Sequence, residues 1–369
     1  MAVIDAEAQS FDLHVPIVVV GAGACGLTAA LAARDCGADV LIIERDSTPL
    51  GTTGMSTGLI PAAGTSEQAE RGIDDGPAQF AADIMAKAQG GADRDIVDCL
   101  AQESADTVQW LRDKHGIPLT LLDGFVYPGH SVMRMYGTPH RTGGELIGAL
   151  QSAAVDAGAD LLTQATVCDL FVDASQQIRG VAVERPDGAR ELIGCDALVL
   201  ACCGFAGNSE LVRRYIPEIA DGVFHGHPGN KGEAILWGES LGAKLADMDA
   251  YQGHGGLAAG QGIPILWPLI MEGGFQVNRQ GKRLSDESKG YSEQAVKVLA
   301  QEEGVAYSVF DERLYQLMVQ FSDFQDALEA GAILRGDSVA ELATKMKVPV
   351  AALEETFESE RACKHGDAD

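Results

Sequence analysis

The sequence predicts an α/β fold, because an apolar strand runs straight into a glycine-rich turn and a helix, and a second apolar strand follows. The first strand spans residues 15–20, the helix residues 27–36 and the second strand residues 40–43. A strand, helix and strand in this order are typical of a βαβ unit in a parallel sheet. At 369 residues the chain is longer than one core usually supports, so we expect about two domains.

The turn after the first strand has the pattern G-x-G-x-x-G, with glycines at Gly21, Gly23 and Gly26. Gly21 permits a sharp turn, Gly23 lets a pyrophosphate approach the backbone, and Gly26 lets the helix pack closely on the sheet. The free N–H groups and the positive dipole end of that helix favour phosphates. Glu44 ends the second strand, where a carboxylate bonds ribose hydroxyls and disfavours a 2′-phosphate. The pattern therefore predicts a dinucleotide site and disfavours NADP.

Composition and charge exclude several kinds of partner. The net charge of −27 would repel nucleic acids and anionic membrane surfaces. Residues 15–33 carry no charge, but Pro16 and three glycines argue against a membrane span, and residues 1–14 are acidic where a signal peptide would be basic. The eight cysteines show no C-x-x-C motif and no paired Cys/His spacing. We therefore expect a cytoplasmic protein with reduced thiols, no transmembrane segment and no metal site.

The middle of the chain alternates between helical and strand patterns. Residues 96–115 have apolar positions at helical spacing, and Thr142 and Glu145 fit a capping box that opens a helix over residues 146–157. Alternating or apolar runs predict strands, at residues 166–172, 180–184, 192–193 and 196–201. The last of these strands ends in a turn that contains glycine, which suggests a second approach to the ligand bound by the first turn.

Four further motifs follow the G-x-G-x-x-G pattern along the chain. They are the Thr/Ser/Gly segment of residues 51–58, Ala201-Cys-Cys-Gly-Phe205, Gly229-Asn-Lys-Gly-Glu233, and Gly273-Gly-Phe-Gln-Val-Asn-Arg-Gln-Gly-Lys-Arg-Leu-Ser-Asp-Glu287. The last three are similar to A-T-G-G-F, N-T-G-D-G and G-G-x-x-V-N-x-x-G-x-R-F-x-x-E. In this order the five motifs resemble the flavoprotein family of fumarate reductases, succinate dehydrogenases and 3-ketosteroid dehydrogenases. The likeness covers nearly the whole chain.

The resemblance implies FAD as the cofactor, held without a covalent bond because residues 51–58 contain no histidine. It implies a Rossmann-like FAD-binding domain over residues 1–250 and a smaller α+β capping domain for the substrate over residues 251–369. Relatives continue for on the order of a hundred more residues, so we expect the C-terminal part of the FAD domain to be absent. The cofactor-binding residues that it implies are Gly21, Ala22, Gly23, Ala24, Cys25, Gly26, Glu44, Arg45, Thr52, Thr53, Gly54, Met55, Ser56, Thr57, Gly58, Val167, Ala201, Cys202, Gly204 and Glu233.

The chain departs from the fumarate reductases at the catalytic position. Those enzymes carry an arginine four residues after the glutamate that matches Glu287, and this chain has Tyr291 there. The acid and arginine that supply protons would fall near Trp267 and Ile270, which cannot relay them. A tyrosine at this position instead resembles the 3-ketosteroid dehydrogenase branch, in which a tyrosine is the base. Tyr127 lies near the sequence position at which that branch carries an assisting tyrosine. A tyrosine acts as a base only if its neighbours lower its pKa from about 10.

The sequence therefore favours an FAD-dependent oxidoreductase of CH–CH bonds. The expected reaction is Δ1-type dehydrogenation of a 3-ketosteroid or similar cyclic ketone, with hydride transfer to flavin N5. The expected partners are an apolar ring ketone as small-molecule substrate and an external electron acceptor. Two alternatives stay open: a flavoprotein like fumarate reductase or succinate dehydrogenase, and a catalytically incompetent FAD-domain remnant. An NAD-linked dehydrogenase is disfavoured by the later motifs.

The role of one group of basic residues has two interpretations, and both stay open. His130, Arg134, His140 and Arg141 lie close together in sequence before the predicted capping box. They could bind a carboxylate of the substrate, or they could have a structural or solvated role.

Overall fold

The computed structural model describes residues 1–124 and 126–365, with side chains as far as residue 361. It divides into two compact units, one of Met1–Leu211 with Gly226–Asp247 and one of Val212–His225 with Met248–Asp369. None of the described helices has the length and apolar character needed to cross a membrane.

The strands of the first unit form two sheets. They are β1 (Ala2–Asp5), β2 (Leu13–Val20), β3 (Val40–Ile43), β4 (Ile60–Pro61), β5 (Thr120–Leu121), β6 (Met135–Gly137), β7 (Asp160–Leu162), β8 (Thr166–Val172), β9 (Ile178–Glu184) and β10 (Arg190–Leu200). The large sheet has the order β1-β8-β9-β10-β2-β3-β7, and β4, β6 and β5 form a small antiparallel sheet.

The helices α1 to α8 connect and cover these strands. They are α1 (Ala24–Asp35), α2 (Gly51–Gly54), α3 (Ser66–Glu70), α4 (Pro77–Lys87), α5 (Arg94–Asp113), α6 (Gly143–Asp156), α7 (Ser209–Tyr215) and α8 (Glu233–Ser240). The boundary between the two units falls within α7. Helix α2 is a single turn inside the segment 51–58.

The predicted βαβ unit is confirmed. Strands β10, β2, β3 and β7 are parallel neighbours, and Val19 of β2 is paired with Ile42 of β3. Alternate residues of β2 point to opposite faces: Val19 packs in a core with residues of α1 and α6, and Val18 packs in a second core that contains Trp237 of α8. Because the sheet is covered on both faces, its central strands are apolar throughout.

The region after β9 differs from the sequence prediction. Residues 192–193 and 196–201 were expected to form two strands, but β10 is one strand from Arg190 to Leu200. Its first half pairs antiparallel with β9 and its second half pairs parallel with β2, so that its side chains change surroundings part of the way along. The change of partner, and not a break in the backbone, produces the two separate patterns in the sequence.

The start of α6 also differs in detail. The Thr142 side chain accepts a hydrogen bond from the Glu145 amide, as predicted. However, the Glu145 carboxylate accepts a hydrogen bond from the His140 amide, at 2.9 Å, and not from Thr142. Only half of the predicted capping box therefore forms, and the helix begins at Gly143, earlier than expected.

A buried ion cluster joins α4 and the residues before it to the chain just before β6. The Arg134 side chain is fully buried and donates two hydrogen bonds to Asp75, at 2.9 and 3.0 Å, and one to Asp83, at 2.7 Å. Its guanidinium also lies 4.7 Å from the centre of the Phe80 ring. Of the two interpretations of Arg134, the structure supports the structural one, because no part of this side chain is open to a substrate.

The second unit is smaller and mixes helices with one short hairpin. Its elements are α9 (Pro268–Met271), β11 (Phe275–Val277), α10 (Tyr291–Leu299), β12 (Tyr307–Val309), α11 (Glu312–Met318), α12 (Ser322–Glu329), α13 (Val339–Met346) and α14 (Val350–His365). Strands β11 and β12 pair antiparallel. One small core joins this hairpin to α13 and α14, and another is built around Phe324.

Candidate cofactor and catalytic sites

The glycine-rich turn lies where three parallel strands end. The Gly21 amide donates to the Ile43 carbonyl at 2.8 Å, and the Ala201 amide donates to the Val20 carbonyl at 2.9 Å. These bonds bring the ends of β2, β3 and β10 together, which is where parallel sheets bind their ligands. The predicted second approach to the ligand, at Ala201, thus lies directly beside the first.

Two of the glycines are required by close backbone contacts. Gly21 has a φ of 104°, and a Cβ atom there would lie 2.6 Å from the Ala201 carbonyl oxygen. A Cβ atom on Gly26 would lie 1.9 Å from the Gly21 carbonyl oxygen. Both contacts are shorter than atoms tolerate, so these two positions exclude a side chain for reasons of folding alone.

Gly23 is different, because space remains beside it. Its φ of −74° suits any residue, and a Cβ atom would meet only the Thr53 hydroxyl oxygen, at 3.6 Å. That hydroxyl accepts a hydrogen bond from the Ala24 amide at 3.2 Å, which joins α2 to the start of α1. The open space beside Gly23 at a helix N-terminus fits a bound diphosphate.

Glu44 is fixed beside the same turn. One carboxylate oxygen accepts a hydrogen bond from the Ala22 amide at 2.9 Å, and the other accepts one from the Asp46 amide at 3.0 Å. Each carboxylate oxygen can accept a second hydrogen bond. Glu44 can therefore bind the ribose hydroxyls without giving up the bonds that orient it.

Two buried acceptor oxygens near the start of α8 have no donor among the described residues. They are the Asn230 amide oxygen and one Glu233 carboxylate oxygen, while the other Glu233 oxygen accepts from Arg45 at 3.0 Å. Both residues are at most 8% exposed. A buried acceptor without a donor costs about 1–3 kcal/mol. The hydroxyl groups of a ribityl chain would supply such donors, so the residues present fit FAD.

Three of the remaining predicted cofactor residues, Ser56, Cys202 and Val167, have defined surroundings. The Ser56 backbone carbonyl accepts a hydrogen bond from the Gly143 amide at 2.7 Å, which joins the segment 51–58 to α6. Burial raises the pKa of the Cys202 thiol, and the nearby Glu233 adds to this effect, so the thiol stays protonated at neutral pH. The Val167 side chain packs in the core, which leaves only its backbone for a ligand.

The distinction between Gly23 and the other glycines gives a test of the cofactor site. We expect Gly23→Ala to fold like the wild type but to bind FAD about 10- to 100-fold more weakly, because overpacking costs about 1–3 kcal/mol. Flavin fluorescence titration of the apoprotein measures the affinity, and urea unfolding measures the stability. Gly76→Ala is the matched control, since its Cβ atom would meet nothing within 4 Å. Equal affinity in both variants would show that the diphosphate does not lie beside Gly23.

Tyr291 is the first residue of α10, and Gln252, His254 and Trp267 are among its neighbours in the second unit. The Gln252 side-chain amide donates a hydrogen bond to the Tyr291 hydroxyl at 2.7 Å. The His254 ring stacks on the tyrosine ring, with 5.2 Å between their centres. The buried Trp267 ring meets both rings edge-on, 6.0 Å from His254 and 6.3 Å from Tyr291. Gln252 and His254 are exposed and Tyr291 is half-buried, so a ligand can reach this cluster.

His254 has a defined protonation state. Although the residue as a whole is exposed, its ring lies against the Tyr291 and Trp267 rings, and this desolvation lowers the pKa of the imidazole. The nearby His225 lowers the pKa further, so the ring is neutral at pH 7. Its Nδ1 atom accepts a hydrogen bond from the Gly256 amide at 3.1 Å, which places the proton on Nε2. His254 therefore presents a neutral N–H donor close to the Tyr291 ring.

Tyr127, the second predicted catalytic tyrosine, lies in the first unit. Its ring meets the His130 ring edge-on at 6.1 Å, and His130 stacks on Phe80 at 5.9 Å. Burial lowers the pKa of His130, and the adjacent Arg134 lowers it further. Tyr127 thus contacts His130, which packs on Phe80 next to the buried ion cluster. The role of Tyr127 in catalysis stays a prediction.

Sequence reasoning missed Gln252 and His254. Both belong to the segment Gln252-Gly-His-Gly-Gly256, where a histidine stands among three glycines. Glycines that flank a polar residue in a loop indicate close backbone packing around it. This was the available signal, but the partner of Gln252 lies 39 residues further along the chain and no local pattern identifies it.

Comparisons with known proteins find similarity over nearly the whole chain. The family model described as FAD binding domain matches residues 16–369. A probable fumarate reductase of Shewanella frigidimarina is 29% identical over 92% of this chain, and the chain spans 57% of the length of that relative.

Two solved structures are similar in fold. The open conformation of a flavocytochrome c3 fumarate reductase has a TM-score of 0.81 at 27% identity, and the match covers 97% of this chain and 63% of that one. The 3-ketosteroid-Δ4-(5α)-dehydrogenase of Rhodococcus jostii has a TM-score of 0.76 at 23% identity, and the match covers 97% of this chain and 79% of that one. The second likeness concerns the fold alone.

Proposed function

This chain belongs to the family of FAD-binding domains, and from that premise we propose that it is a flavin-dependent oxidoreductase that dehydrogenates a CH–CH bond next to a ketone. FAD is its cofactor. The observation that carries the proposal is the Tyr291 cluster, in which Gln252 bonds the tyrosine hydroxyl and His254 stacks on its ring. A proton acceptor and a neutral N–H donor then stand side by side, which is what removal of a proton next to a carbonyl requires.

Each residue of the cluster has one part in the reaction. In its ionised form, the Tyr291 oxygen takes the proton from the carbon next to the ketone and becomes the neutral hydroxyl. The His254 Nε2–H group donates a hydrogen bond to the ketone oxygen and stabilises the negative charge that develops there. The Gln252 amide holds the tyrosine oxygen in place. Bound FAD supplies the hydride acceptor.

The surroundings of Tyr291 favour an uncharged, apolar substrate. His254 is neutral at pH 7, Gln252 carries no charge, and Trp267 offers an aromatic surface. A dicarboxylate is best bound by cationic side chains such as arginine. A cyclic ketone of the 3-ketosteroid type fits neutral donors and aromatic rings better, and we propose Δ1-type dehydrogenation of such a ketone, with the electrons passed to an external acceptor.

A second candidate is the reduction of an unsaturated acid. The similarity to a probable fumarate reductase supports it. In that direction Tyr291 would donate a proton to the carbon next to a carboxylate. Tyr291 stands where the resemblance expects an arginine, which favours the first candidate.

The two candidates differ in a direct experiment on the FAD-loaded protein. Under anaerobic conditions we expect a saturated 3-ketosteroid to bleach the oxidised flavin, and fumarate to leave the chemically reduced flavin unchanged. Reoxidation by fumarate together with no bleaching by ketosteroids would contradict the first candidate and support the second. A protein that is colourless after incubation with excess FAD and removal of the unbound cofactor would contradict both.

A further inference from the structure

The segment 252–256, which we call the glycine clasp, runs along the first turn of α10. The Gln252 side chain donates to the Tyr291 hydroxyl at 2.7 Å, the Gly253 amide donates to the Ser292 hydroxyl at 2.9 Å, and the Gly255 amide donates to the Tyr291 carbonyl at 3.0 Å. The side chain and the backbone of Tyr291 thus both accept hydrogen bonds from the same five-residue segment. The clasp and the tyrosine form one unit.

The glycine clasp is packed too closely on α10 to admit side chains. A Cβ atom on Gly253 would lie 2.6 Å from the Ala295 Cβ atom, and one on Gly255 would lie 2.9 Å from the Gln294 Cβ atom. Because both glycines are buried against the helix, the segment cannot slide along it without breaking these contacts.

A buried chain of amides fixes the other side of the clasp. The Gln276 side chain donates to the Gly255 carbonyl at 2.7 Å, and the Gln294 side chain donates to Gln276 at 2.9 Å. Gln276 is 1% exposed and Gln294 is 2% exposed. The clasp is therefore anchored both to α10 and to strand β11, and these contacts hold the backbone that carries Gln252.

We propose that Gln252 is the positioning residue of Tyr291, which rests on the proposed role of Tyr291 as proton acceptor. Its N–H group fixes the tyrosine oxygen and directs the hydroxyl hydrogen away from itself. The same N–H group stabilises the negative charge that the oxygen carries when it is ready to take a proton, because hydrogen bonds to charged acceptors are the stronger ones. Gln252 acts through Tyr291 and needs no contact with the substrate.

The test uses Gln252→Met, which keeps the length of the side chain and removes the donor. Since Gln252 is exposed, the variant should fold. We expect kcat with the ketone substrate to fall about 10- to 100-fold with little change in KM, and the rise of kcat/KM with pH to move towards alkaline pH. Gln316→Met is the matched control, because Gln316 is also an exposed glutamine whose side chain donates a hydrogen bond, to Glu312 at 2.8 Å.

A double-mutant cycle and a titration test the positioning role of Gln252 separately from the proposed role of Tyr291 as proton acceptor. In a Tyr291→Phe background, Gln252→Met should cost no further activity. In the unreacted protein, the ultraviolet signal of tyrosinate that Tyr291→Phe removes should appear at higher pH once Gln252 is changed. Additive losses or an unmoved tyrosinate signal would overturn the positioning role. Full activity of Tyr291→Phe alone would overturn the proposed function instead.

Discussion

Tyr291→Phe is expected to lower kcat/KM for dehydrogenation of the ketone substrate by about 10²- to 10⁴-fold, the usual contribution of a positioned acid or base. The substitution removes only the hydroxyl group, so the ring still stacks on His254 and meets Trp267. Binding of FAD should not change, because Tyr291 and the glycine turn lie in different units. Anaerobic stopped-flow measurement of flavin reduction gives the rate, and the flavin spectrum gives the cofactor content.

Tyr315→Phe is the matched control for this substitution. Tyr315 also lies in the second unit and packs edge-on against Phe324 at 5.9 Å, and we expect its variant to keep the wild-type rate. A Tyr291 variant that reduces its flavin as fast as the wild type, with equal FAD content, would contradict the proposed proton transfer. A variant that has lost its FAD would reveal an effect on binding, which the proposal does not predict.

The parts of the fold that the sequence predicted are those that depend on neighbours along the chain. The strand, glycine turn, helix and strand from residue 13 to residue 43 are determined by an apolar run and by three glycines, two of which have contacts that exclude a side chain. Glu44 follows directly from the end of β3. Such features leave a pattern in neighbouring residues, and this pattern was sufficient to predict the βαβ unit and the position of Glu44.

The features that could not be predicted depend on partners far away in the sequence. Gln252 acts on a residue 39 positions away, and Arg134 binds carboxylates 51 and 59 positions away. Before the fold is known, a buried arginine and a substrate-binding arginine look the same. Strand β10 was divided into two for the same reason, since its two halves pair with different strands.

Arg134→Met is expected to reduce the free energy of unfolding by about 3–5 kcal/mol, because removing one partner of a buried ion pair leaves the other charge uncompensated. The Asp75 side chain is 0% exposed and that of Asp83 is 13% exposed, so water cannot replace the guanidinium. Urea unfolding followed by circular dichroism measures the loss. Arg94→Met is the control, because Arg94 and Asp98 form an exposed pair, and such pairs contribute at most about 1 kcal/mol.

The same cluster makes the effect depend on pH. Burial alone would raise the pKa of Asp83, but hydrogen bonds from Ser131 and Arg134 outweigh it and lower the pKa. Since the pKa of Asp83 is lower in the folded chain than in the unfolded one, its contribution is complete above the usual carboxyl pKa and is lost as the pH falls through the lowered value. In Arg134→Met one cause of the lowering is gone, so the folded-state pKa of Asp83 lies closer to that of the unfolded chain, and the loss of stability on acidification should be smaller than in the wild type. Parallel curves of stability against pH for the two proteins would mean that Ser131 alone holds the charge of Asp83.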